Sequence, residues 1–137
     1  KKFIPLTCER STVRDINFKR VKKIIIESSE QSNRLSIPEI TKKESLKNFL
    51  NFFPKNGYII FCDINSHKKD LKNILSKKAE GPLCILVGPE GDFSEKERQL
   101  IIEKKEIYPL SLATNILRAE TAAIAAVTIV NYHLNFS

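Results

Sequence analysis

This chain predicts an α/β domain built on a largely parallel sheet flanked by helices. Short apolar, strand-like runs alternate with helical stretches from one end of the 137 residues to the other. Two of the runs, 58–64 and 83–87, are apolar almost without a break, the pattern of strands covered on both faces. No repeat, low-complexity tract or linker interrupts the alternation, so a single domain is expected.

Residues 2–8 form the first expected strand, followed by a polar loop through Asp15. The spacing of Ile16, Val21, Ile24 and Ile25 predicts a helix over 16–32, with Lys19, Arg20, Lys22 and Lys23 on its other face. Polar residues 30–34 close it, and Pro38 stops any continuation. Thr41 followed by Glu44 has the spacing of a capping box and predicts a helix over 41–53. Asn56-Gly57 marks a turn before the strand at 58–64. An amphipathic helix is expected over 66–78, with Leu71, Ile74 and Leu75 inward and Gly81-Pro82 as its end. After the strand at 83–87, Ser94 and Glu97 give a second capping box and a helix through 104. The last strand spans 107–112 and the last helix 118–134. That helix is apolar nearly all round, so one face must cover the sheet and another something else; a second copy, in a homodimer, is the expected cover.

The composition, 42% hydrophobic and 28% charged, is that of an ordinary globular protein. The longest apolar stretch lies within 121–130, far short of the roughly 20 residues that a membrane span requires. With no secretory signal either, a cytoplasmic location is expected. The chain opens Lys1-Lys2-Phe3 and holds no Met, so residues are expected before Lys1. Cys8, Cys62 and Cys84 stand singly in apolar runs without a CxxC pair, which points to buried reduced thiols rather than disulfides or a metal site. Of the net charge of +7, residues 1–34 carry +5. A footprint on a polyanion and a solvated basic face both fit that imbalance.

Two segments hold the residues most able to do chemistry. Gly88-Pro89-Glu90-Gly91 follows a strand and precedes a capped helix, where ligands of open α/β sheets bind. It has neither the GK[ST] ending of a phosphate loop nor a GxGxxG pattern, which disfavours a nucleotide triphosphate. A plain tight turn with Glu90 on the surface is the competing reading. Leu112-Ala113-Thr114-Asn115-Ile116-Leu117 joins the last strand to the last helix, and its apolar tail predicts a buried loop. Such a loop needs partners for its backbone, which a bound small molecule supplies; a hydrophobic staple into the helix is the alternative. Arg118 and Glu120 then place charge at the mouth of an apolar helix, costly if buried. Arg118 is always protonated, so its roles are anion stabilisation and anchoring. Glu120 is accounted for by the dipole of the helix it begins. His67 and His133 have no partner at metal or triad spacing and are expected in solvent.

Together these segments resemble the RsmE-type rRNA uridine N3-methyltransferases of the SPOUT superfamily. Four blocks carry the likeness: Cys8-Glu9-Arg10-Ser11; Glu30-Gln31-Ser32-Asn33-Arg34 with Pro38 downstream; residues 86–94 with GPEG-x-FS; and residues 112–123 with ILR-x-ETA. The resemblance implies a deep trefoil knot at the C-terminal end, S-adenosylmethionine in the knot, a homodimer, and small-subunit ribosomal RNA as substrate. It implies cofactor contacts at Cys62, Val87, Gly88, Glu90, Gly91, Leu112, Ala113, Asn115, Ile116 and Leu117, with Leu112, Ile116 and Leu117 flanking the adenine. Arg118 would orient the uracil and stabilise charge on its oxygens, while Arg10, Arg14, Lys19, Lys22 and Arg34 would meet RNA phosphates. No metal is implied, and no general base is evident.

The chain departs from the family pattern at Ala113, where glycine is usual, at Asn115, where arginine is usual, and at Asp92, where a second glycine is common. The family also carries an N-terminal PUA-like RNA-binding barrel, then a first strand and helix of the knotted domain. The resemblance implies that these precede Lys1 and that residues 1–137 are the methyltransferase domain as a fragment. A non-catalytic RNA-binding or dimerisation module of the same fold is the rival reading.

Overall fold

The structure, a computed structural model, describes residues 1–12, 15–66, 71–76 and 81–136. In place of one strand over 2–8 it has β1 (Lys2–Phe3) and β2 (Leu6–Thr7). Pro5 has no N–H to give, and the segment pairs on either side of it. β1 lies parallel to β3 (Glu39–Ile40), and β2 parallel to β4 (Glu44–Ser45). Neither β3 nor β4 was expected, because two residues are too few to show a period of two.

α1 (Phe18–Gln31) begins later than its spacing predicted, since the Asn17 side chain caps it by accepting from Arg20 N at 3.0 Å. Its inward line is Phe18, Val21, Ile25 and Ser29, and Ile24 is exposed. The expected Thr41–Glu44 capping box does not form. Glu44 belongs to β4, Thr41 N donates to Phe3 O at 3.0 Å, and Ser45 caps α2 (Leu46–Phe52), accepting from Asn48 N at 3.1 Å. Leu46 is the first inward apolar residue, and only Ser45 stands immediately before it.

The main sheet has the order β6-β5-β7, all parallel: β5 (Tyr58–Cys62) in the centre, β6 (Leu83–Leu86) and β7 (Ile107–Leu110) at its edges. Alternate side chains of β5 serve opposite faces. Ile59 and Phe61 join Phe49, Leu50, Phe93 and Ile101 beneath α2 and α4 (Glu95–Ile102). Ile60 joins Leu71, Ile74, Leu110 and Val130 beneath α3 (Leu71–Ser76) and α5 (Ala119–Phe136). The parallel sheet with helices on both faces is therefore present, though short. β5 meets the expectation of burial on both faces; in β6, an edge strand, only Leu86 is fully buried.

All three main strands end sooner than expected, and the residues released become loops at one edge of the sheet. Of the helix expected over 66–78, α3 is the described part; residues 67–70, including His67, and 77–80 lie outside the described residues. Among the described residues no helix is long and apolar enough to cross a membrane.

Candidate functional site

Three parallel strands deliver their C-terminal ends to the same edge, and the loops that follow them converge there. They enclose a cavity of about 310 Å³. The β5 exit supplies Cys62, Asp63 and Ile64; the β6 exit supplies Val87, Gly88, Pro89, Glu90, Gly91 and Asp92. The β7 exit and the start of α5 supply Leu112, Ala113, Asn115, Ile116, Leu117, Ala119 and Ala122. The ten residues expected at a cofactor thus all line one cavity, with Ala113 and Asn115 among them.

The loop after β6 is held by its own backbone. Asp92 N donates to Pro89 O at 2.9 Å, closing a tight turn, and Asp92 has a left-handed φ of 59°. Glycine suits that conformation, and Asp92 tolerates it because its carboxylate accepts from Phe93 N at 2.8 Å. At Gly88 a Cβ would stand 3.1 Å from the Phe93 ring, so the backbone packs directly on that ring.

The Ser94–Glu97 capping box forms as its spacing predicted: Ser94 Oγ accepts from Glu97 N at 3.2 Å, and Glu97 Oε2 from Ser94 N at 3.0 Å. Glu97 Oε1 also accepts from Glu9 N at 2.8 Å, which draws residues 8–11 onto α4. Arg10 Nη1 then donates to Gly91 O at 3.1 Å, so Arg10 lies at the cavity rim and is otherwise exposed. Lys19, Lys22 and Arg34 are exposed on and just after α1, and none is shown bonded to a lining residue; Arg14 lies outside the described residues.

The loop before α5 overturns one expectation. It is not buried along its length, for Ile116 is 85% exposed and Asn115 is exposed too. Arg118 and Glu120 are likewise in solvent, so neither carries the cost of a buried charge. Arg118 does not line the cavity but sits between two residues that do, Leu117 and Ala119. Its carbonyl accepts from Ala122 N at 2.8 Å and so opens the first turn of α5. His133 also differs from expectation, being half-buried and edge-on to Tyr132.

All three cysteines are free; Cys8 is buried, Cys62 and Cys84 half-buried. Burial pushes the Cys62 thiol up to about 12, which leaves the one sulfur in the cavity wall protonated and unreactive at neutral pH.

The strongest polar contact of the site was not anticipated. Asp63, with a side chain only 3% exposed, receives Arg98 Nη2 on Oδ2 at 2.7 Å. The hydrogen bond to Asp63 raises the Arg98 guanidinium further above its ordinary range. The partners are 35 positions apart, and the only trace in the sequence is a carboxylate interrupting the apolar run 58–64.

Among the described lining residues Asp63, Glu90 and Asp92 are acidic, and Asp63 is already paired with Arg98. The carboxylates left over, Glu90 and Asp92, make this part of the wall a poor seat for a polyphosphate.

The RNA methyltransferase domain family matches residues 1–131. The chain belongs to this family. The ribosomal RNA small subunit methyltransferase E of Rickettsia conorii is 38% identical over 129 residues, covering 92% of this chain and 51% of that protein. The methyltransferase E of Neisseria gonorrhoeae, solved bound to S-adenosyl methionine, superposes with a TM-score of 0.81 at 28% identity over 98% of this chain and 56% of that one. A Legionella pneumophila protein solved with the bound cofactor SAM gives a TM-score of 0.73 at 30% identity, over 93% of this chain and 53% of that one. The chain therefore spans about half the length of the family members it matches.

Proposed function

We propose that this domain transfers a methyl group from S-adenosylmethionine to N3 of a uridine in small-subunit ribosomal RNA. The observation that carries the reading is the cavity at the strand ends, which gathers Cys62, Val87–Gly91, Leu112, Ala113 and Asn115–Leu117 into one partly apolar wall. Its volume falls in the roughly 300–1,000 Å³ range of small-molecule sites. The residues fit the cofactor: Leu112, Ile116 and Leu117 would flank the adenine, and the Glu90 and Asp92 carboxylates suit a ligand bearing a sulfonium cation. Relatives named as ribosomal RNA small subunit methyltransferases, and neighbours solved with this ligand, support methyl transfer to that RNA. In this reading the loop before α5 closes a trefoil knot, and the exposed apolar side of α5 meets a second copy. An rRNA substrate also implies a cytoplasmic site of action.

When bound, the cofactor supplies an electrophilic methyl carbon attached to a thioether leaving group. Uracil N3 carries a proton at neutral pH, and the protein's task is to make its loss easier. Arg118, at the mouth, orients the base and stabilises the negative charge that spreads to the uracil oxygens as that proton passes to water. N3 then bonds to the methyl carbon as the carbon–sulfur bond breaks. Arg10 at the rim, with Lys19, Lys22 and Arg34, holds phosphates and positions the RNA without reading its sequence.

Calorimetric titration of the protein with S-adenosylmethionine, followed by methyl transfer to small-subunit rRNA, tests this. Arg118→Ala should lose about a hundredfold or more in transfer rate, the scale of removing one charge-stabilising group, with cofactor affinity kept. Absence of heat at millimolar cofactor would leave the non-catalytic RNA-binding module as the better reading. A near-normal rate in Arg118→Ala would remove that residue from the mechanism.

A further inference from the structure

Asp63 joins three segments that wall the cavity. Its N–H donates to Leu110 O at 3.1 Å, fixing the β5 exit to the end of β7. Its Oδ1 accepts from Asn65 N at 3.0 Å, and its carbonyl accepts from Ser66 N at 3.2 Å and Ser66 Oγ at 2.9 Å, which shapes the turn carrying Ile64. Its Oδ2 receives Arg98, whose own N–H donates to Ser94 O at 2.8 Å in the first turn of α4. The neighbouring Glu97 points elsewhere, to Glu9 N. Adjacent residues of one helix turn thus hold two different things: Glu97 holds the segment bearing Arg10, and Arg98 holds the turn after β5.

We propose that Arg98 is the positioning residue of the cavity. Through Asp63 it fixes the β5 exit turn, with Cys62 and Ile64 in the wall, against the loop that runs from Gly88 into α4. The guanidinium does not line the cavity and touches no ligand; it acts through Asp63. The pair is made through one nitrogen, and Arg98 Nε is buried without a hydrogen-bond partner. The assignment rests on the S-adenosylmethionine reading for its ligand and on this chain's own geometry for its mechanics.

The test compares the protein with Arg98→Met, which keeps the aliphatic stem, and Arg98→Lys, which restores a cation. Arg98→Met should raise the dissociation constant for S-adenosylmethionine about tenfold, the effect of a wall that holds its binding geometry about a tenth of the time. The KM for RNA should stay within about twofold, since residues 8–11 are held by Glu97 instead. Arg98→Lys should recover part of the cofactor affinity, and Asp63→Asn combined with Arg98→Met should weaken binding by less than the product of the single effects. Amide hydrogen exchange supplies a readout that needs no ligand: protection at Asn65 and Ser66 should fall in Arg98→Met and return in Arg98→Lys. Unchanged cofactor affinity, or equal weakening towards cofactor and RNA, overturns the proposal. If the unaltered protein binds no S-adenosylmethionine, the functional reading fails alone, and the exchange at Asn65 and Ser66 still decides the role of Arg98.

Discussion

Glu97 holds two backbone donors on one carboxylate that is almost fully buried. Truncation to Ala strands both the Glu9 and Ser94 N–H groups, and a hydrogen bond to a charged group contributes about 1.5–3 kcal/mol. Glu97→Ala should therefore destabilise by about 3–6 kcal/mol in urea unfolding at pH 7. Glu97→Gln keeps the shape but turns an amide N–H2 towards one of the two donors, and should fall between Ala and the natural residue. A loss under about 0.5 kcal/mol in Glu97→Ala, the range of a featureless surface site, would show that neither bond matters. The two capping boxes expected from sequence explain what is legible at this scale. Ser94-x-x-Glu97 forms because Ser94 directly precedes its helix, while Thr41-x-x-Glu44 has the same spacing and fails because its helix starts only after Ser45. Spacing was readable; where the first inward apolar residue falls was not. The Asp63–Arg98 pair was illegible for a different reason, since its partners meet only once β5 and α4 are packed together.

At the scale of an element, α5 shows why an apolar helix is easy to find and hard to orient. Ala122, Ala126 and Val130, at a spacing of four, turn inward and are buried. Small side chains there let the helix lie close over the sheet edge. The larger Ile124, 69% exposed, Val127 and Leu134 face outward, with Tyr132 also exposed. Hydrophobicity alone would have placed the larger residues inside. This outward stripe is the basis for proposing a dimer through α5, and Ile124 is its most exposed large aliphatic residue. Ile124→Glu should leave the circular dichroism spectrum unchanged and weaken dimerisation at least about a hundredfold, a loss of about 2.7 kcal/mol expected of a central apolar anchor. Sedimentation velocity across concentration reads this out. A natural protein that sediments as a monomer throughout would refute the interface.

For the whole molecule, the alternation of strands and helices gave away the fold class and the edge where the loops gather. It did not reveal that the described strands fall into three separate sheets, because Pro5 and the brevity of β3 and β4 are read only with their partners in view. One property belongs to the folded molecule as a unit: all three thiols are shifted the same way. Burial pushes Cys8 and Cys84 from 9.0 up to about 11, with nearby Glu97 adding to the effect at Cys8, and Cys62 up to about 12. Each folded thiol keeps its proton to higher pH than the unfolded one, so between those limits the native state binds more protons. Stability is then fully present below pH 9.0 and is lost as pH rises towards 11–12. The unfolding midpoint in urea should hold steady from pH 7 to 8.5 and decline from about pH 9 to 10, a window below most lysine titration. Replacing all three cysteines with Ala should flatten the decline, even if it lowers stability overall through lost packing. An equal decline in the cysteine-free protein would assign the alkaline instability to groups other than these thiols.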